Sequence, residues 1–210
     1  MIRKTRQAIF WSFFAVFVAA GPLMILYARG YRFDFIKKKF PQLKVAYIKN
    51  RRYKTTNYIY SMWLARNFID DDIILLHGDL VFEKKLLGRL LKNKLNCVLL
   101  NNNVKPPEKD FKGRVRNNII NKIGVNVSGK NAFFLAPIYK FSKSSFILWL
   151  DEIEIFINNG KYNLYAEEAF NSISGEIKLH PVYFRNEICL EIDNFDDLRN
   201  ARQLFKKYDA

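Results

Sequence analysis

Two acids in this sequence stand where chemistry is commonly done. Asp79 follows the apolar run Ile73-Ile74-Leu75-Leu76-His77 after a single glycine, Gly78, and Asp193 directly follows the run Ile188 to Ile192. Open α/β sheets bind ligands outside the carboxyl ends of their strands, and two carboxylates brought to one such edge can hold a divalent cation against phosphates. Taken alone, each acid is more often a helix N-cap, because Asp is common where a strand turns into a helix. The pair is what raises the chemical reading. His77 and His180 lack the spacing of a metal site, and Cys97 and Cys189 lie outside any C-x-x-C pattern, which excludes a zinc ribbon or a disulfide framework by count.

The elements that must position these acids are legible from apolar patterning. Thr55-Thr56-Asn57 are cap residues before a helix-like run through Arg66, with Tyr60, Trp63 and Leu64 on one face, and Asp70-Asp71-Asp72 forms a turn. Ile73 to His77 then reads as a strand, Gly78-Asp79 as its exit, and Glu83 to Asn93, with leucines at 86, 87, 90 and 91, as a helix. Cys97 to Leu100 is a second short strand, and Asn101 to Lys112, with Pro106-Pro107, a loop. Ala132 to Phe141 reads as a strand leading to a helix on which Phe146, Trp149, Leu150, Ile153 and Ile157 share a face, with Gly160 placed to end it. Val182 to Phe184 and Ile188 to Ile192 are further strands, and Asn194 with Asp197 makes a capping-box-like start for a last helix. Strands alternating with helices predict a mainly parallel sheet covered on both faces.

At 210 residues and 50% hydrophobic, the chain is a folded α/β protein rather than a disordered basic tail. Its net charge of +15 is uneven: residues 1–54 hold 13 basic groups and one acid, and the remainder is close to balanced. Inside that basic zone Ala8 to Ala28 runs 21 residues without a charge, which as a helix reaches roughly 31 Å, the thickness of a hydrocarbon core. A single transmembrane anchor over 8–28 is therefore expected, within an N-terminal segment 1–35 that precedes a domain of 36–210. A signal peptide is disfavoured because the apolar run outlasts an ordinary h-region. The basic groups after the span place the C-terminal domain on the cytoplasmic side of the membrane and suit an anionic lipid surface. No recognisable nucleic-acid-binding module is present, so nucleic acid is not an expected partner.

From Tyr53 onward the chain resembles the sugar-phosphate and phosphocholine nucleotidyltransferases of the MobA-like NTP-transferase superfamily, most closely the phosphocholine cytidylyltransferase type. The resemblance is carried by Tyr53 to Ala65 (YKTTNYIYSMWLA), Asp72 to Phe82 (DIILLHGDLVF), Glu108-Lys109-Asp110-Phe111-Lys112-Gly113 and Ala136 to Ser142 (APIYKFS). It continues through Tyr165-Ala166-Glu167 and Glu191-Ile192-Asp193-Asn194-Phe195-Asp196-Asp197-Leu198, and spans roughly residues 37–208. It implies transfer of a nucleotidyl group, cytidylyl above others, from an NTP such as CTP to a phosphorylated alcohol such as phosphocholine or a sugar phosphate, with release of pyrophosphate.

The same resemblance implies the site. Asp79 would bind Mg²⁺ and the nucleotide phosphates, with Asp193 as the second metal-binding acid and Lys112 neutralising phosphate charge. Asn57, Tyr60, Ser61 and Gly78 would lie near nucleotide or acceptor, and Tyr165 with Glu167 would face the acceptor, an aromatic face and a carboxylate suiting a choline-like cation. The chain departs from the family at its start, where a strand and a Gly-rich loop, Leu-Ala-Ala-Gly-x-Gly-x-Arg, should hold the triphosphate. Val18-Ala19-Ala20-Gly21 only echoes that loop. The expected domain is thus an incomplete Rossmann-like nucleotidyltransferase lacking its first strands, its missing part supplied by another chain. A second reading is a non-catalytic, membrane-anchored scaffold or binding remnant of that fold.

Overall fold

The computed structural model describes residues 13–18, 24–28, 38 and 45–208. Its centre is a sheet of nine strands: β1 (Phe13–Val18), β2 (Met24–Ala28), β3 (Val45–Tyr47), β4 (Ile73–His77), β6 (Cys97–Asn101), β7 (Lys112–Arg116), β8 (Ile119–Gly124), β9 (Ala132–Phe141) and β10 (His180–Phe184). The main path runs β10-β6-β9-β4-β1-β2-β3, with the β7–β8 hairpin attached to β9. Two further strands, β5 (Leu80–Phe82) and β11 (Cys189–Glu191), form a separate antiparallel pair in which Leu80 faces Glu191. The helices are α1 (Tyr58–Ala65), α2 (Lys84–Lys92), α3 (Lys143–Asn158), α4 (Ala166–Ser172) and α5 (Phe195–Tyr208).

The strands alternate because both faces of the sheet are covered. Ile73 and Leu75 of β4, Val98 and Leu100 of β6, and Leu135, Tyr139 and Phe141 of β9 point to one side, where Ile59 and Met62 of α1, Trp149 and Ile153 of α3 and Phe170 of α4 meet them. The residues between them, Ile74, Leu76, Cys97, Leu99, Phe134, Ala136 and Ile138, point to the other side against Leu86 and Leu90 of α2. Period-two alternation with apolar residues at both phases is the pattern of a central strand buried on both faces. The register of β6 on β9 shifts between Val98 and Leu99, opposite Pro137, a residue with no N–H to give to a ladder.

Local capping follows the sequence. Asn57 Oδ1 accepts from Tyr58 N at the start of α1 and Ser142 Oγ accepts from Ser145 N at the start of α3, while Gly160 takes φ +74° just past its end. Asn194 Oδ1 accepts from Asp196 N and Asp197 N, and Asp197 Oδ2 accepts in return from Asn194 Nδ2, the reciprocal arrangement expected at the start of α5. The β7–β8 hairpin turns on Asn117 and Asn118, both at positive φ, as a two-residue turn with the twist of the flanking strands requires.

Three expectations are corrected. The domain neither begins at residue 36 nor lacks every strand before it, because β1 (Phe13–Val18) and β2 (Met24–Ala28) stand in its sheet, β1 beside β4. The sheet is mixed rather than mainly parallel: among the described residues only β10 on β6 and β2 on β3 pair in parallel, and the central β6-β9-β4-β1 ladder is antiparallel throughout. The long β9 runs between β4 and β6 and reverses the direction of the sheet. The apolar run 8–28 is not a transmembrane helix in its described parts. Residues 13–18 and 24–28 are strands that pair with each other, and β1 also pairs with β4 from Phe14 opposite His77 to Val18 opposite Ile73. Among the described residues no helix is long and apolar enough to cross a membrane. A continuous apolar run fits a strand buried in a sheet as well as it fits a membrane helix. The rest of the expected span, residues 8–12 and 19–23, lies outside the described residues.

Candidate active site

The carboxyl end of β4 and the small β5–β11 ladder converge with the loop before β7, and two clusters of side chains meet there. Asp79 sits in the turn between β4 and β5, and its carbonyl oxygen accepts from Ile192 N at 2.9 Å, which ties the Asp193 segment to it. Asp110, in the loop that leads to β7, and Glu191 and Asp193, at the end of β11, place one carboxylate oxygen each within 4.8 Å of one another. Burial raises the pKa of Asp79 to about 6, with Asp193 and Asp110 adding to it. Burial likewise raises Glu191 to about 8, with Asp110, Asp79 and Asp193 adding. The four carboxylates therefore form one electrostatic unit. Within it Asp79 Oδ1, Asp110 Oδ1 and Glu191 Oε1 are buried and accept no hydrogen bond among the described residues. Crowded, donor-poor carboxylate oxygens are the ligand set of a hard divalent cation, so the residues fit the expected Mg²⁺.

The second cluster is aromatic and encloses one acid. Glu167, in the first turn of α4, is 1% exposed. Its Oε1 accepts from the Tyr139 hydroxyl at 2.9 Å and lies 3.9 Å from His77 Nε2. Burial pushes the Glu167 carboxyl up to about 8 and His77 down to about 3, so near neutral pH both are uncharged and the contact is a neutral polar one. Around them the rings of Tyr58 and His77 meet edge-on at 4.8 Å, those of Phe111 and Tyr165 at 5.1 Å, and those of His77 and Phe111 at 6.0 Å. Two short segments feed both clusters. His77 and Asp79 flank Gly78 at the end of β4, and Asp110 and Phe111 are consecutive, so each segment gives one side chain to the acids and one to the rings.

The residues expected from the sequence divide accordingly. Asp193 gathers with Asp110 and Glu191, Asp79 interacts electrostatically with it from outside that set, and Tyr165 and Glu167 share the aromatic cluster. Gly78 is the exposed turn residue between the two clusters. Lys112 is neither a loop lysine nor turned to the acids alone: it opens β7, is 8% exposed, and its Nζ donates to the carbonyls of Glu108 at 2.6 Å and Val125 at 2.7 Å. The ammonium touching the acids is that of Lys109, 2.5 Å from Asp193 Oδ2 and 3.0 Å from Asp197 Oδ2. Asn57 caps α1, Tyr60 packs on Trp63 at 5.4 Å beneath the Arg52 guanidinium, and buried Ser61 accepts from Asn50 Nδ2 at 3.3 Å. Asn57 touches the aromatic cluster only through the backbone N–H of Tyr58, and neither Tyr60 nor Ser61 makes a described contact with either cluster.

Asp110, Glu191, Lys109, His77, Phe111 and Tyr139 were not singled out as site residues. Asp110 and Glu191 stand in the segments that carry the family resemblance, so their acidic side chains beside Lys109 and Asp193 were the available signal. His77 and Tyr139 sit in apolar runs, where an aromatic ring reads as core, and Phe111 is a lone ring among charged residues with no spacing to mark it.

No protein-family model matches the chain. A segment of 52 residues is 44% identical to the CMP-5'-(3-aminopropyl)phosphonate synthase of Streptomyces rubellomurinus, covering 25% of this chain and 8% of that protein. Among solved structures, the inositol-1-phosphate CTP transferase of T. maritima superposes with a TM-score of 0.69 at 18% identity, over 85% of this chain and 74% of that one. The CTP:phosphocholine cytidylyltransferase of Streptococcus pneumoniae does so with a TM-score of 0.64 at 15% identity, over 83% and 73%. A putative glucose-1-phosphate thymidylyltransferase of Bacillus anthracis gives 0.63 at 16%, over 80% and 68%. The chain therefore has the nucleotidyltransferase fold, and the likeness to nucleotidyltransferases read from its sequence is shared by its structure.

Proposed function

We propose that this chain transfers a nucleotidyl group, cytidylyl in preference to others, from an NTP to a small phosphate or phosphonate whose other end carries a cationic amine. The observation that carries this reading is the junction of the two clusters through 77–79 and 110–111. Those segments join a group of crowded carboxylates, the acidic rim, to a cluster of aromatic rings packed around the buried Glu167 carboxyl. An acceptor with an anionic end and a cationic end matches that pair of environments. Three of the similar proteins support cytidylyl transfer by their names, and two of these, a CTP:phosphocholine cytidylyltransferase and a CMP-5'-(3-aminopropyl)phosphonate synthase, name an acceptor that carries a cationic nitrogen.

Asp79, Asp110, Glu191 and Asp193 would hold Mg²⁺. When bound, that ion offsets the charge of the triphosphate and polarises the phosphorus under attack. The chain's own residues supply the positioning. Tyr58, Phe111 and Tyr165 offer ring faces to an ammonium head, and Glu167 gives up its proton to pair with it. An acceptor phosphate is already ionised, so no residue has to act as its general base. With the head fixed at Glu167, the anionic end is directed to the rim, where Lys109 stands ready to offset charge. Such catalysis is chiefly orientation and electrostatics.

The test is pyrophosphate release by the full-length chain with each NTP, Mg²⁺, and phosphocholine, 3-aminopropylphosphonate or glucose 1-phosphate as acceptor. The expected result is release with CTP and an amine-bearing acceptor, with glucose 1-phosphate poor. Preference for glucose 1-phosphate would refute the amine-binding role of the aromatic cluster. No release with any pair, together with calorimetric binding of an acceptor, would establish the scaffold reading.

A further inference from the structure

The acidic rim has a buried end and an open end. At the buried end, Asp110 is 6% exposed, and its Oδ1 and the Oε1 of Glu191 accept no hydrogen bond among the described residues. At the open end, Lys109 closes the cluster, its Nζ 2.5 Å from Asp193 Oδ2 and 3.0 Å from Asp197 Oδ2 while half of its side chain stays exposed. Asp193 therefore belongs to two sets: the three carboxylates whose oxygens gather within 4.8 Å, and the ion pair with Lys109. Asp197 belongs only to the second. It is held at the start of α5 by Asp193 N at 3.0 Å and Asn194 Nδ2 at 2.8 Å.

Resting on the divalent-cation reading above, we propose that Lys109 is the resident counter-ion of this site. It and a divalent cation exclude each other on Asp193, so that cation binding releases the ammonium toward the triphosphate. A divalent cation needs oxygen ligands at about 2.0–2.6 Å, and an ammonium already held on Asp193 Oδ2 repels a second positive charge brought to the same carboxylate. Lysine can leave without backbone movement, because its charge rides on a flexible stem of four carbons. Lys112 cannot do the same, since its ammonium is sealed between two backbone carbonyls. Asp197 is then the anchor that keeps Lys109 on Asp193 when no cation is present, and the phosphates of the NTP are its alternative partner.

Mn²⁺ titrated calorimetrically into the full chain and its Lys109→Met, Asp197→Asn and doubly substituted variants tests this. Removing a competing ammonium should tighten Mn²⁺ about fivefold in Lys109→Met, a factor of the size that one exposed ion pair supplies. That result alone also follows from simple loss of a positive charge, so the decisive quantity is the sign of the Asp197→Asn effect. Exclusion requires Asp197→Asn to tighten Mn²⁺ when Lys109 is present, because the ammonium is loosened, and to weaken it when Lys109 is methionine, because only a nearby negative charge is then lost. A bystander lysine gives weakening by the same factor in both backgrounds. Additive effects within about twofold therefore overturn the exclusion. Failure of Mn²⁺ to bind any of the four proteins would overturn the cation reading itself, whereas binding with additive effects would remove only the role of Lys109.

Discussion

The acidic rim and the aromatic cluster around Glu167 are neighbours built from the same two segments, yet they set opposite electrostatic environments. In the rim, burial raises the pKa of Asp79 and of Glu191, the neighbouring acids Asp110 and Asp193 add to both shifts, and Lys109 reaches in from solvent. In the aromatic cluster one carboxyl is isolated among rings, and burial alone is the main cause of its shift to about 8. Crowded anions select a small cation of high charge, which can satisfy several of them at once. An isolated, protonated acid in an aromatic setting selects a large cation of low charge density, with apolar surface that the rings can cover.

The largest effect should come from the rim. Asp79→Asn is expected to lower pyrophosphate release by about 10²–10³-fold, the cost of one preorganised charge-stabilising group. In EDTA at pH 8 the same variant should melt no lower than the unaltered chain, because it removes a carboxylate that folding disfavours. A drop in both activity and melting temperature would make Asp79 structural and erase the contrast.

Glu167→Gln should act on the other side of the comparison. It is expected to raise KM for an amine-bearing acceptor by about tenfold or more, the value of a desolvated cation contact, and to leave Mn²⁺ affinity unchanged. Since the acid is largely protonated at pH 7, acceptor binding should also release close to one proton, read by titration calorimetry in buffers of different ionisation enthalpy, and Glu167→Gln should abolish that release.

A smaller effect common to both regions concerns pH. Asp79, Glu191 and Glu167 all have folded-state pKa values raised above their ordinary carboxylate values, so folding favours their protonated forms. Their contribution to stability is complete below about pH 4 and is lost as pH rises through about 6 and then about 8. Denaturation midpoints in EDTA should therefore fall between pH 5 and 9, by on the order of a few kcal/mol in total. Mg²⁺ should restore the part that belongs to the rim and not the part that belongs to Glu167. Equal restoration of both would mean that the two clusters are one site.

The smallest expected effect lies outside both. Asn57→Ala removes the α1 cap and should cost about 1 kcal/mol of stability, with no change in KM for nucleotide or acceptor. A change in KM beyond the stability loss would bring Asn57 into the site.

Much of this was readable in advance, for identifiable reasons. β4, β6 and β9 are apolar at both phases of their alternation, and α3 repeats its core residues at helical spacing, so burial wrote them directly into the chain. Asn194 and Asp197 announced the start of α5 through their capping chemistry. The β7–β8 hairpin was missed because its strands, Lys112–Arg116 and Ile119–Gly124, carry Lys, Arg and Asn on their exposed sides, which masks the alternation. The run 8–28 was misread because apolar length does not distinguish a membrane helix from paired strands.

By itself the sequence determined the α/β layering, the ends of the helices, the positions of Asp79 and Asp193 after apolar runs, and the likeness to nucleotidyltransferases, since each depends on neighbours a few residues away. Only the tertiary structure decided that the sheet is mixed, that Asp110 and Glu191 crowd the same point as Asp193, and that Lys109 rather than Lys112 faces the acids. It also decided that Tyr139 and His77 meet over Glu167. Those facts rest on contacts between segments tens of residues apart, where the folded chain withdraws some polar groups from water and leaves others within its reach.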